Sequence, residues 1–258
     1  MIVVTVITEN DLEGLANFLR PSCEFNNLDL RVLICKGRYS GHRTKDLLLY
    51  EYLKGLDKKE LIFFTDAFDA YFIADHNEIV YKYYNFDKPV VFSGEIACWP
   101  EASLSQSYPN STIDFHFRYL NSGGFIGTAG VIMDLIEKYY NGNNIDHLRH
   151  PWSNQYTWNQ IYLKEQDLIQ IDSNCEIFYT LCSTIEISRA YLNSGDNKNN
   201  VLDLEKARLL KEMIIENGRF ISSITGRKPC HLHFNSPAVK SIMKGNLLDE
   251  LKSWVNVS

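Results

Sequence analysis

Short, unbroken apolar runs alternate along the chain with longer stretches of helical period. Residues 2–8, 30–35, 61–64 and 90–93 are apolar runs of strand length. A run without polar alternation predicts a strand buried on both faces, as in a parallel sheet. Asn10 or Asp11 caps a predicted helix that continues to about Arg20, where Pro21 ends it. Residues 44–56 predict an amphipathic helix with Leu47, Leu48, Tyr52 and Leu56 toward the core. Further helices are predicted over 78–84, 131–140, 154–163, 202–215 and 241–255, and further strands over 168–171 and 230–235. Residues 36–42, 103–112 and 141–150 read as polar loops. The β-α-β-α-β order at the start predicts an α/β fold, with a mainly parallel sheet flanked by helices. With no repeat, linker or break in composition, residues 1–258 read as one domain.

Size and charge narrow the partners. The chain has 258 residues, enough to bury a core without staples. Its formal net charge is −6 and it contains no basic run, which argues against nucleic acid. Six scattered cysteines form no Cys-x-x-Cys pair, so buried free thiols are expected instead of a disulfide framework or structural zinc. No apolar run reaches the ~20 residues of a membrane span. The chain opens directly on a core strand without a signal-peptide pattern. As written it reads as soluble and cytoplasmic, although a trimmed domain from the secretory-pathway lumen would read the same.

The candidate chemistry starts at residues 61–69, Leu-Ile-Phe-Phe-Thr-Asp-Ala-Phe-Asp. A core strand delivers Asp66 and Asp69 to its carboxyl end, where open α/β sheets bind ligands. Two oxygen donors so close together suit a hard cation such as Mn²⁺ or Mg²⁺. The plainer reading is a strand ending in an Asx turn. Gly123 and Gly124, flanked by polar and aromatic residues, let backbone approach a ligand or form a tight turn. No Gly-x-Gly-x-x-Gly and no Walker lysine loop is present, so dinucleotide and P-loop chemistry lose their main support.

The order of motifs resembles the glycosyltransferase domain of the procollagen lysyl hydroxylases. The landmarks are residues 2–8, Phe64-Thr-Asp-Ala-Phe-Asp69, Ser93-Gly-Glu-Ile-Ala-Cys-Trp-Pro-Glu101, Tyr108-Pro109, Arg118-Tyr-Leu-Asn-Ser-Gly-Gly-Phe-Ile-Gly127, Ile177-Phe178 and His233-Phe-Asn-Ser-Pro237. The family's hydroxylase domain has no counterpart here. The resemblance implies a GT-A type nucleotide-sugar-binding fold that takes a UDP-sugar with Mn²⁺ (or Mg²⁺). It implies a metal held by Asp66, Asp69 and His233, with His231 as the alternative ligand. It places Val6, Thr8 and Phe68 around the uridine, Phe68 standing where the family tends to carry tyrosine. Lys45 and Lys240 become candidates for the diphosphate, each one residue uncertain in register. By base rate such lysines are solvated surface charges. Trp99 would close over the donor, or else is a core or surface aromatic. Asn121, Ser122, Gly123 and Gly124 would line the sugar and acceptor cleft, with Glu95 nearby.

One departure bears on catalysis. The family carries an aspartate-rich run where this chain has Pro151-Trp-Ser-Asn-Gln155. Asn154 and Gln155 can bond sugar hydroxyls, but neither can take a proton. Glu95, Asp114 and Asp146 are the alternative carboxylates. The expected activity is transfer of glucose or galactose from UDP-glucose or UDP-galactose to a hydroxyl acceptor. That acceptor would be hydroxylysine or galactosyl-hydroxylysine of a collagen-like protein, or a glycan. A non-catalytic UDP-sugar- or glycan-binding module and a metal-dependent nucleotidyltransferase or hydrolase are the competing readings.

Overall fold

The computed structural model describes residues 1–9, 12–109, 116–142, 144–216 and 219–244. The first half runs β1 (Ile2–Thr8), α1 (Leu12–Asn17), α2 (Leu19–Phe25), β2 (Leu30–Cys35), α3 (Arg43–Leu53), β3 (Leu61–Thr65), β4 (Ala70–Phe72), α4 (His76–Tyr83) and β5 (Val90–Glu95). The second half runs β6 (Tyr119–Thr128), α5 (Ala129–Tyr140), α6 (Asn154–Lys164), β7 (Ile169–Asp172), β8 (Phe178–Leu181), α7 (Ile185–Asn193), α8 (Lys198–Glu212), β9 (Met213–Glu216), β10 (Arg219–Ser222), β11 (His231–Phe234) and α9 (Pro237–Ile242).

The main sheet has the order β2-β1-β3-β6-β5-β7. Only β6 runs against its neighbours, so the sheet is mainly parallel, as the unbroken apolar runs predict. Side-chain alternation splits each strand between two cores. Val4, Ile62, Phe64 and Phe92 pack with α3, α5 and α6, around the fully buried Trp158. Val3, Ile7, Leu61 and Phe63 pack on the other face with Leu15, Leu19, Phe72 and Phe178. A second sheet, β4-β11-β8, stands beside the first. The four residues Asp66 to Asp69 link β3 in one sheet to β4 in the other. All six cysteines are buried and free. Among the described residues, no helix is long and apolar enough to cross a membrane.

Several expectations are corrected. Pro21 does not end a helix. It is the third residue of α2, in a first turn whose N–H groups lack intrahelical partners in any case. In α3 Asp46, Leu49 and Leu53 are buried; of the expected face, Leu48, Tyr52 and Leu56 are partly buried against the core and only Leu47 is exposed. The helix expected over 202–215 is α8, which starts at Lys198 and gives way at Met213 to a β-hairpin. The tandem glycines form no turn and lie inside the ten-residue strand β6. Among the described residues the last helix is α9, Pro237–Ile242, which reaches only the first two positions of the helix expected over 241–255. The predicted cap at Asn10 or Asp11, Asp114, and most of residues 241–255 lie outside the described residues.

Candidate active site

β3 is buried along its whole length, and its chain leaves the sheet at Asp66. The Asp66 N–H is held by the Gly123 carbonyl of neighbouring β6 at 2.9 Å. Asp69 is locked from the other side, its carbonyl accepting the Phe234 N–H of β11 at 2.7 Å. β11 pairs with β4 so that His233 stands opposite Ala70. The result is a compact group. One ligand atom from each of Asp66, Asp69 and His233 lies within 4.8 Å of the others. His233 Nε2 is 3.5 Å from Asp69 Oδ2 and 3.8 Å from Asp66 Oδ2.

The imidazole is oriented from behind. Asn121 Oδ1 accepts the Gly123 backbone N–H at 2.9 Å, which identifies it as the oxygen of the amide. The same oxygen is 3.1 Å from His233 Nδ1, so Nδ1 carries the proton and donates. That leaves the lone pair on Nε2, directed at the two carboxylates. No hydrogen-bond partner among the described residues reaches this buried nitrogen. A buried imidazole whose other nitrogen is fixed by an amide has the form of a metal ligand with its supporting partner. Two carboxylates and an imidazole fit Mn²⁺ or Mg²⁺.

Gly123 makes the approach possible. A Cβ built there would stand 2.2 Å from His233 Cε1. The tandem glycines therefore admit side chains of the small sheet. Gly124 faces Phe178 and His231 in the same way, at 3.1 Å and 3.4 Å from a built Cβ. His231 itself is a core residue. Its Nε2 is 2.8 Å from Thr65 Oγ1, and its ring packs on Phe63, Phe72 and Phe178.

Two ammonium groups meet the same carboxylates. Lys45 Nζ donates to Asp66 Oδ1 at 2.5 Å, and Lys240 Nζ lies 2.6 Å from Asp69 Oδ2. Burial alone would lower both ammonium pKa values, but Asp66 and Asp69 outweigh it and raise them. Burial would likewise raise the Asp69 carboxyl; a protonated His233 and then Lys240 bring it below its ordinary range. The two lysines and two aspartates line a cavity of about 250 Å³ together with Val6, Thr8 and Phe68, and the buried His233 lies behind that wall. The donor-side residues expected from sequence, Val6, Thr8, Lys45, Phe68 and Lys240, thus share one cavity with Asp66 and Asp69.

The remaining nominated residues form a buried network beside it. Glu95 is 2% exposed and accepts from Asn121 Nδ2 at 3.1 Å, from Asn235 Nδ2 at 3.1 Å and from Gln155 Nε2. Burial, opposed by these amide donors, pushes its carboxyl up to about 7. Ser122 Oγ donates to Asn154 Oδ1 at 3.2 Å, and Gln155 Nε2 also reaches the Trp99 carbonyl at 3.1 Å. Trp99, Asn121, Ser122, Gly123, Gly124, Asn154 and Gln155 do not line the cavity itself. The Trp99 side chain is half-exposed. Asp146 is exposed and accepts the Leu148 and Arg149 N–H groups of its own loop.

Three contributors are not evident in the sequence pattern. Tyr39 and His42 line the cavity, with the Tyr39 hydroxyl 2.9 Å from His42 Nδ1. Their only signal is a place in the glycine-flanked loop before α3. Asp46, next to Lys45, is fully buried and accepts the Trp158 Nε1–H at 3.0 Å and the Tyr140 hydroxyl. It fastens α3 to α5 and α6, and so fixes the position of Lys45. Burial pushes its carboxyl up to about 6 against those two donors.

A model of the PLOD GT domain family matches residues 1–220. The chain belongs to this family of glycosyltransferase domains. It is 32% identical over 199 residues to human procollagen-lysine,2-oxoglutarate 5-dioxygenase 1, covering 72% of this chain and 26% of that one. A multifunctional procollagen lysine hydroxylase and glycosyltransferase of Caenorhabditis elegans is 32% identical over 202 residues, with the same two coverages. Uncharacterized protein R699 of Acanthamoeba polyphaga mimivirus is 27% identical over 214 residues, covering 81% of this chain and 39% of the other. The chain thus spans about a quarter of the length of the two procollagen-modifying relatives. The family match ends before β11, so the placement of His233 and Lys240 beside the aspartates rests on the geometry alone.

Proposed function

We propose that this protein is a metal-dependent glycosyltransferase. It would move glucose or galactose from UDP-glucose or UDP-galactose to a hydroxyl acceptor. The observation that carries this reading is the Asp66–Asp69–His233 group, whose two aspartates line a cavity with Lys45, Lys240 and Phe68 while the buried His233 backs them. When bound, Mn²⁺ or Mg²⁺ supplies Lewis-acid neutralisation of charge on a departing diphosphate. The chain's own residues bind and orient. Lys45 and Lys240 offer charge-assisted hydrogen bonds to phosphate oxygens. Phe68 presents a stacking face to the uracil, and Val6 and Thr8 close the end of β1 around the nucleoside. Asn121, Asn154 and Gln155, held by Glu95 and Ser122, present amides to sugar hydroxyls.

The names of the relatives support an acceptor on a collagen-like protein, hydroxylysine or galactosyl-hydroxylysine. The stretch Pro151 to Gln155, which lacks a carboxylate, favours a non-collagen glycan as the alternative. The same observation favours a second reading, a UDP-sugar- or glycan-binding module without turnover. Melting temperature against UDP, UDP-glucose and UDP-galactose, each with Mn²⁺ and with chelator, tests the donor site. A ligand at 100 times its Kd adds ~2.7 kcal/mol. A Mn²⁺-dependent rise that Asp66→Ala abolishes is expected; no rise with any nucleotide refutes the reading. Single-turnover donor cleavage separates transferase from binding module.

A further inference from the structure

The loop before α6 ends in Pro151-Trp152-Ser153. Trp152 keeps 43% of its surface exposed, although large aromatic residues usually bury most of theirs. It is nonetheless fixed. Its carbonyl accepts the His42 N–H at 2.7 Å. Ser153, next in the chain, donates its N–H to the His150 carbonyl at 3.0 Å and caps α6 by accepting the Tyr156 N–H at 3.2 Å. Gly41, with φ of +130°, lies so close that a Cβ there would come within 2.9 Å of the Trp152 backbone. The rings of His42 and His150 both meet the indole edge-on, with centroids 6.2 Å away.

His42 is the shared wall, since its residue lines the donor cavity while its ring supports Trp152. A second half-exposed indole, Trp99, is joined to the same helix end. Its carbonyl accepts from Gln155 at 3.1 Å and from Asn159 at 2.9 Å. Two residues on, Glu101 pairs with Arg149 at 2.6 Å and His150 at 3.3 Å. Two open indoles therefore flank the start of α6, where Asn154 and Gln155 sit, one residue removed from the donor cavity.

This combination suits a sugar ring. A pyranose has a face of weakly positive C–H bonds that packs on the negative face of an indole, while its hydroxyls need a few polar groups at the rim. A platform already held in place loses little freedom on binding. A bare hydroxylysine side chain carries an ammonium group and would call for an unpaired carboxylate. Glu101 is already paired twice, and the first turn of α6 holds no acid.

We propose that Trp152 is the stacking platform of a saccharide acceptor subsite at the mouth of the donor cavity. The acceptor is then a sugar hydroxyl, not the hydroxyl of an unglycosylated lysine side chain. The role as acceptor rests on the transferase reading, whereas saccharide binding at Trp152 can be measured without a donor.

Saturation-transfer NMR on the full chain tests the subsite, with methyl β-galactoside and methyl β-glucoside as probes, each with and without UDP and Mn²⁺. The wild type should bind at least one glycoside through the C–H face of its ring. Trp152→Ala should weaken that binding about tenfold, the size of one lost aromatic contact, and Trp152→Phe should restore most of it. The melting temperature of each variant controls for folding. Equal glycoside binding by the wild type and Trp152→Ala overturns the proposal. So does a wild type that binds a hydroxylysine peptide and neither glycoside. Trp152-dependent glycoside binding without any UDP binding would leave the subsite standing and sink the donor reading instead.

Discussion

Substituting Gly123 by alanine should disable the proposed metal site without replacing any of its three candidate ligands. The added Cβ would stand 2.2 Å from His233 Cε1, 2.7 Å from Nδ1 and 2.9 Å from Nε2. Non-bonded carbons prefer ~3.5–4.0 Å, so the ring must retreat by ~1 Å or more. Neither partner moves freely. β6 is held by β3 and β5, and β11 by β4 and β8. A retreating ring stretches its 3.1 Å bond to Asn121 and carries Nε2 away from the aspartates. Overpacking of this kind costs ~1–3 kcal/mol of stability. Metal ligands tolerate displacements of only ~0.2 Å. Mn²⁺-dependent UDP affinity should therefore fall by about ten- to a hundredfold, as when the partner that orients a ligand is lost. The assay is calorimetric titration of UDP with Mn²⁺, beside urea unfolding. Gly55→Ala is the control, because a Cβ there would meet the Tyr52 carbonyl oxygen at an ordinary 3.7 Å. Wild-type affinity and stability in Gly123→Ala would refute the packing argument and the ligand role of His233 with it.

Lys240→Ala and Lys45→Ala should each weaken UDP binding by ~1.5–3 kcal/mol, the worth of a hydrogen bond to a charged group. An affinity unchanged in both would remove them from the diphosphate site. Glu95 provides a pH test, because its carboxyl is held at about 7 against an ordinary 4.5, by burial that exceeds the pull of its amide donors. An acid raised by folding contributes fully below the unfolded value and loses that contribution as pH climbs through the folded one, here between 4.5 and about 7. The span corresponds to ~3 kcal/mol, so urea stability of the wild type should decline over that window relative to Glu95→Gln. Parallel curves for the two proteins would contradict the assignment.

Much of the main sheet was legible because β1, β3 and β5 are largely buried on both faces and announce themselves as apolar runs, whereas β6, interrupted by Asn121-Ser-Gly-Gly124, was not read as a strand. β1 and β2 were predicted to the residue. The small sheet was less so. β4 has three residues and β8 four, too short for a period to emerge, and both exist through pairing with β11 some fifty to one hundred and sixty positions away. On α3 the one expected core position that fails is Leu47, and the buried residue beside it is Asp46. Its hydrogen bonds to Trp158 and Tyr140, contacts no local pattern encodes, hold a carboxylate in the core while Leu47 is exposed. The aspartate pair was visible as a strand-end motif. The orienting bond from Asn121 to His233 was not, since it joins residues 112 positions apart.

Charge at the site answers a question that composition raises. The chain carries −6, yet the proposed donor is an anion. Asp66 and Asp69 alone would repel a diphosphate. Lys45 and Lys240 each pair with one of them, so these four groups sum to zero. A divalent cation then makes the site positive by two, which matches the two negative charges of a diphosphate bridging sugar and nucleoside. In the proposed site the lysines therefore have a second role beside binding phosphate. Removing one leaves an aspartate without its counter-charge, and the same cation then brings the remaining three groups to only plus one, with Lys244 elsewhere on the cavity wall unchanged. On this argument the two lysines and the cation act together, and loss of either lysine should steepen the dependence of nucleotide affinity on Mn²⁺.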